Sequence, residues 1–149
     1  TRDTDCGKTG RCCPRSTLWL LADTADGDQF CTAYKNESDG NLYYGCKSTS
    51  ATCDGWLIEG PVDSTGNVGD YSTLAFNSEG QPYIAYQNAT LKHLKVATKE
   101  NGIWEVITVD DSGNAGKFAD MTIDNNDVVH ISYLDGSTGK GLLKYAWGQ

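Results

Sequence analysis

The residues best equipped for chemistry are six cysteines, Cys6, Cys12, Cys13, Cys31, Cys46 and Cys53, all within the first 53 of 149 residues. An even count crowded into one part of a polar chain reads as disulfides made in an oxidising compartment, and therefore as a secreted or extracellular protein. Structural zinc would want Cys-x-x-Cys pairs or nearby histidines, whereas no such pair exists and His93 and His130 are remote. Asp23, Asp26 and Asp28 supply oxygens at a spacing that suits a calcium loop, but the distal Glu of an EF-hand is missing, so a plain polar turn is the first reading and calcium the second. Gly113-Asn114-Ala115-Gly116-Lys117 imitates a phosphate loop, yet Asp111 replaces the first glycine, Phe118 replaces the metal-binding hydroxyl, and a strand pattern follows. Asn36-Glu37-Ser38 and Asn88-Ala89-Thr90 match the acceptor pattern for N-glycosylation. No Ser-His-Asp triad can be assembled, and no pair of carboxylates stands out for glycoside hydrolysis.

These residues need a scaffold, and composition limits its kind. With 38% hydrophobic and 21% charged residues the chain describes a globular domain with a sizeable core. A net charge of -8 repels phosphate backbones and anionic headgroups, which argues against nucleic acid as a partner. No apolar run approaches the roughly 18 residues of a membrane span, so no membrane insertion is expected. The polar amino terminus without an initiator Met is that of a processed or excised chain.

An internal repeat sets the organisation. Shifting the chain by 47 lays Gly55 on Gly102, Val62-Asp63 on Val109-Asp110, Gly66-Asn67 on Gly113-Asn114, Gly69 on Gly116, and Ile84 and Tyr86 on Ile131 and Tyr133. Leu94-Lys95 then meets Leu143-Lys144 after a two-residue insertion, and a looser copy begins at Ser16-Thr17-Leu18. Repeats of this length suit propeller blades or solenoids. Within each copy short alternating strands are separated by Gly, Asn and Asp turns. The second copy reads as four strands over 72–76, 82–86, 94–98 and 104–109; the third reads as three over 121–124, 128–134 and 142–147.

The expected fold is all-β and propeller-like, with three four-stranded antiparallel blades of which the last lacks its outer strand. One repeat domain is expected over 1–149: a cysteine-rich arm at 1–15 and blades at 16–62, 63–109 and 110–149. Three blades leave open edges, which predicts completion by partner chains, as a homo-oligomer or larger assembly, or a longer parent protein. Cys31 and Cys46 fall opposite one another on the second and third strands of the first blade and are expected to pair. Cys12 and Cys13 are too strained to pair as neighbours, so with Cys6 and Cys53 they pair among themselves in one of two ways.

The segment from Asp63 to Tyr86, followed by Leu94-Lys95-Val96-Ala97, resembles the blade repeats of secreted bacterial proteins with sialidase-like (BNR-like) β-propellers. The resemblance implies a fold and secretion but no reaction, since that superfamily holds enzymes, lectins and proteins without an assigned role. The Asp-box Ser-x-Asp-x-Gly-x-Thr-Trp is absent, and the only arginines are Arg2, Arg11 and Arg15, which does not fit a sialidase carboxylate clamp.

In a propeller the connection into each inner strand and the loop between second and third strands open on one face. That face is expected to carry Asn67, Asp70, Tyr71, Asn88, Asn114, Phe118 and Asp135, amides, carboxylates and rings suited to neutral sugars, with Tyr71 and Phe118 lining repeated pockets. The reading is a secreted, non-enzymatic recognition protein that binds carbohydrate or another exposed surface. A structural subunit of an extracellular filament or surface layer is the alternative, and a fragment of a glycan-hydrolysing enzyme comes third. No cofactor is called for beyond the calcium loop.

Overall fold

The structure, a computed structural model, describes residues 29–48 and 56–149. Among them are ten strands, paired antiparallel throughout, and no helix. Sheet 1 holds β1 (Gln29–Asn36), β2 (Asn41–Ser48) and β3 (Trp56–Asp63); sheet 2 holds β4 (Val68–Phe76), β5 (Pro82–Asn88), β6 (His93–Glu100) and β7 (Ile103–Asp110); sheet 3 holds β8 (Lys117–Ile123), β9 (Val129–Asp135) and β10 (Leu142–Gly148). Each is a meander in chain order, and none closes into a barrel. The all-β expectation holds, with four strands in the second copy and three in the third. The arm at 1–15, the first strand expected near 16, the calcium candidate Asp23, Asp26 and Asp28, and Cys6, Cys12, Cys13 and Cys53 lie outside the described residues.

Local chemistry explains the hairpins. Asn101 and Gly102 form a two-residue turn between β6 and β7 with φ of 49° and 81°, the left-handed pair that matches the twist of the flanking strands. Asn77 folds its Oδ1 back to accept from the amides of Glu79 and Gln81, and its repeat partner Asp124 does the same for Asn126 and Val128.

Period-two alternation gives sheet 2 two apolar faces. Ile84, Tyr86 and Ala97 pack with Cys31, Ala33, Leu42, Tyr44 and Val62 of sheet 1. Ala85, Leu94 and Val96 pack with Met121, Val129, Ile131 and Tyr133 of sheet 3. Gly69 and Gly116 bring the sheets close, with φ of 96° and 89°; a Cβ there would lie 3.2 Å from Lys35 Cβ and 3.1 Å from Leu94 Cα.

Cys31 and Cys46 form the expected bridge, directly opposite in the β1–β2 register and 4.1 Å apart at Cα. Opening it with Cys31→Ala and Cys46→Ala together is expected to cost about 3 kcal/mol, the loop-closure value for a bridge of this separation. The check is a urea midpoint measured under non-reducing conditions.

One polar staple is used at both junctions between sheets. Asp63, at the end of β3, accepts from Tyr86 Oη at 2.6 Å and Lys95 Nζ at 2.7 Å, both from sheet 2, and from the Thr65 amide at 2.8 Å. Asp110, at the end of β7, accepts from Tyr133 Oη at 2.7 Å, Lys144 Nζ at 3.0 Å and the Ser112 amide at 2.8 Å. Burial pushes the Asp63 carboxyl up, but the bonds from Lys95, Tyr86 and Thr65 outweigh it and hold it down at about 2. Asp110 is held at about 2 by the same opposition, with Ser112, Tyr133 and Lys144 as donors against burial. Burial and then the adjacent carboxylate raise Tyr133 to about 12 and Tyr86 still further, so both phenols stay protonated and donate.

Candidate functional site

The turns that lead into β4 and β8 lie against the hairpin loops β1–β2, β5–β6 and β9–β10, and the same hydrogen bonds recur at both. The Val68 amide donates to the Gly40 carbonyl at 2.8 Å, and Ala115 donates to Lys92 at 2.9 Å. Ala89 donates to Asn67 at 2.8 Å, and Gly136 donates to Asn114 at 3.0 Å. Each turn between sheets is thus clasped by a hairpin on either side of it.

Two rings stand out against this rigid background. Tyr71 on β4 and Phe118 on β8 occupy the same position of the repeat, each where a bulge interrupts the pairing of its strand with the next. Both are left-handed, with φ of 54° and 50°, a conformation costly for an aromatic residue and held only where neighbours fix it. Both are exposed, at 40% and 64%, and their centroids lie 4.6 Å apart at an interplanar angle of 49°. They form one aromatic surface instead of lining two separate pockets, because the bulge turns each ring out of its strand's alternation.

The flanking polar groups differ between junctions. At the first, Asp70 pairs with Lys35 at 2.8 Å. At the second, the corresponding positions are Lys117 and Gln87, and Gln87 Nε2 donates to Asn114 Oδ1 and the Ala115 carbonyl. Asn67 is exposed, its amide held by Thr90 Oγ1 at 2.9 Å.

Two expected site residues turn inward. Asn88 is wholly buried; its Nδ2 donates to the Thr65 carbonyl and its Oδ1 accepts from the Leu91 amide. It braces a turn, with neither a free face for ligand nor an accessible nitrogen for a glycan in the folded protein. Asp135 is buried at the equivalent place and accepts from the amides of Asn114 and Ser137, from Ser137 Oγ and from Lys144 Nζ. The Ser137 hydroxyl and amide foremost, then Lys144 and Asn114, hold its carboxyl well below the usual range. Asn36, by contrast, opens an exposed turn. Among the described residues no group of His, Cys, Asp and Glu is arranged to hold a metal.

No family model matches the chain, and no curated protein matches it either. A solved structure does. In fold the chain is similar to a fucose lectin. That structure, a fucose lectin from Kordia zhangzhouensis in complex with methyl-fucoside, superposes with a TM-score of 0.51 over 80% of this chain and 89% of the other, at 16% identity. The likeness is one of fold.

Sequence reasoning matched the staple residues between copies but assigned them no role. Asp63, Tyr86 and Lys95 recur as Asp110, Tyr133 and Lys144 in the aligned copies, and three identical polar positions amid varied surroundings were the available signal. Lys35 and Lys117 carried no such mark.

Proposed function

We propose that this chain is a secreted, non-enzymatic recognition protein that binds carbohydrate through the face bearing Tyr71 and Phe118, on sheets arranged as propeller blades related to BNR-like repeats. The observation that carries the reading is the exposed aromatic pair held in a strained backbone at equivalent positions. Rings fixed in that way offer an apolar surface at little entropic cost, with Asp70 next to Tyr71 in the chain and the Asn67 and Asn114 turns leading into the same two strands to supply groups for sugar hydroxyls. Similarity of fold to a fucose lectin supports it, and the Cys31–Cys46 bridge supports an extracellular setting. Residues 16–62, 63–109 and 110–149 are then successive blades.

Glycan-array binding followed by calorimetry tests the reading. Tyr71→Ala and Phe118→Ala together are expected to weaken the best glycan at least about tenfold, with an unchanged unfolding midpoint. Failure to bind any glycan, or binding untouched by both substitutions, would sink it.

A second reading is a subunit of an extracellular filament or layer. It is favoured by β10, an edge strand whose Leu143, Tyr145 and Trp147 are 72%, 59% and 72% exposed. A partner copy covering that surface closes a ring if the rotation closes and builds a fibre if it does not. Native mass spectrometry and electron microscopy distinguish a small ring from long polymers.

A further inference from the structure

Sheets 1 and 2 meet through an aromatic pair. Tyr44 of β2 and Trp104 of β7 pack edge to face with centroids 5.3 Å apart, on the faces that the two sheets turn toward one another. Both positions recur in the repeat. Tyr44 stands two residues after Leu42 in β2, and Tyr145 stands two residues after the matching Leu143 in β10. Trp104 lies opposite Lys99 in the β6–β7 register, and Trp56 lies opposite the matching Lys47 in the β2–β3 register.

Within one chain these two further rings face away from each other. Lys144 and Ala146 turn toward sheet 2, where Lys144 reaches Asp110 at 3.0 Å and Ala146 joins the core, so alternation puts Tyr145 on the outer face of sheet 3. Glu59 reaches Lys99 of sheet 2, so Trp56 and Ile58 lie on the outer face of sheet 1, where Trp56 packs on Phe30. Leu143 and Tyr145 are exposed, although Leu94 and Val96, in the same places of β6, are buried against sheet 3; Ile58 is exposed as well. Tyr145 is already held for a partner, its ring stacked on His130 and its hydroxyl 2.6 Å from Nδ1. The chain thus carries one half of the Tyr44–Trp104 junction on each of its two outer faces, and complementary halves on one chain describe a head-to-tail contact between copies.

We infer that a second copy of this chain covers the outer face of sheet 3 with the outer face of its own sheet 1, Tyr145 packing against the partner's Trp56 and Ile58, and that two such junctions close a ring of two chains. Two copies supply six sheets, the one multiple of three within the range of roughly four to eight blades typical of closed propellers. This rests on the second reading above, in which a partner copy covers β10, and adds the surface of the partner and the size of the ring.

The test is native mass spectrometry and sedimentation of the full chain, with circular dichroism to show that each variant is folded. The parent is expected as a particle of two chains. Tyr145→Lys and Ile58→Glu, both at exposed positions, are each expected to raise the dissociation constant at least about tenfold, because each substitution falls in both junctions. An equimolar mixture of the two variants is expected to recover a particle with one chain of each, since one junction is then intact and the other sets the new ammonium against the new carboxylate. Long polymers, or a two-chain particle that Tyr145→Lys breaks and Ile58→Glu does not, overturn the inference and leave a partner copy on β10 standing. A two-chain particle that withstands both substitutions, or a single chain at every concentration, overturns the inference together with that reading.

Discussion

Replacing Asp63 by alanine is expected to destabilise the protein by about 3–5 kcal/mol, the cost of breaking a buried ion pair from one side. The carboxylate and Lys95 are both buried, at 5% and 8% exposure, and the substitution strands the ammonium and the Tyr86 hydroxyl together between sheets 1 and 2. Much of the loss is therefore the penalty of the orphaned partners. The pair Asp63→Leu with Lys95→Met, which leaves neither charge behind, is expected to recover most of it. Asp110→Ala at the next junction is expected to cost less, because Lys144 keeps Asp135 as a second carboxylate at 3.0 Å. Urea midpoints of the four proteins measure this ranking. An Asp63→Ala protein within about 1 kcal/mol of the parent would mean that water reaches Lys95 and that the staple does not tie the sheets.

The staple also shows where sequence reasoning succeeds and where it stops. The repeat at a shift of 47 was legible in the matched turns and apolar positions, and the β1–β2 register that places Cys31 against Cys46 follows from the strands that the repeat assigns on either side of the short Asn36–Asn41 loop. Alternation assigns a polar residue to an end of the strand but does not say whether its side chain reaches out or folds back. Asn88 and Asp135 sit on the loop side, as expected, yet both are consumed by backbone groups of their own turn and of the inter-sheet turn beside it. Tyr71 and Phe118 were legible as equivalent and exposed, but not as touching. A bulge with a left-handed residue leaves no reliable mark when that residue is aromatic and not glycine, so the contact between rings appears only in three dimensions. The charge reversal from Asp70 to Lys117 was visible in the aligned copies, but the pairing of Asp70 with Lys35, from a segment far away in the chain, was not.

Acid is expected to undo the same two junctions. Asp63 and Asp110 ionise at about 2 in the folded protein against an ordinary value of 3.8. Between those values the unfolded chain takes up protons that the folded chain refuses, so stability is full above about pH 5 and falls as pH drops through 3.8 toward 2. Asp63 contributes about 2 kcal/mol over that window; Asp110, with its side chain 12% exposed and better solvated, contributes somewhat less, for a combined loss of about 3 kcal/mol. Tyr86, Tyr133 and Lys144 are all raised and stay protonated throughout, so the loss belongs to the carboxylates. Urea unfolding at fixed steps from pH 7 to 2 checks the curve. Asp63→Asn, already weakened at neutral pH, is expected to show a shallower fall below pH 5 because one of the depressed carboxylates is gone. A parent protein equally stable at pH 6 and pH 2, or an Asp63→Asn protein that falls as steeply as the parent, would show that the two carboxylates do not carry the acid sensitivity of the fold.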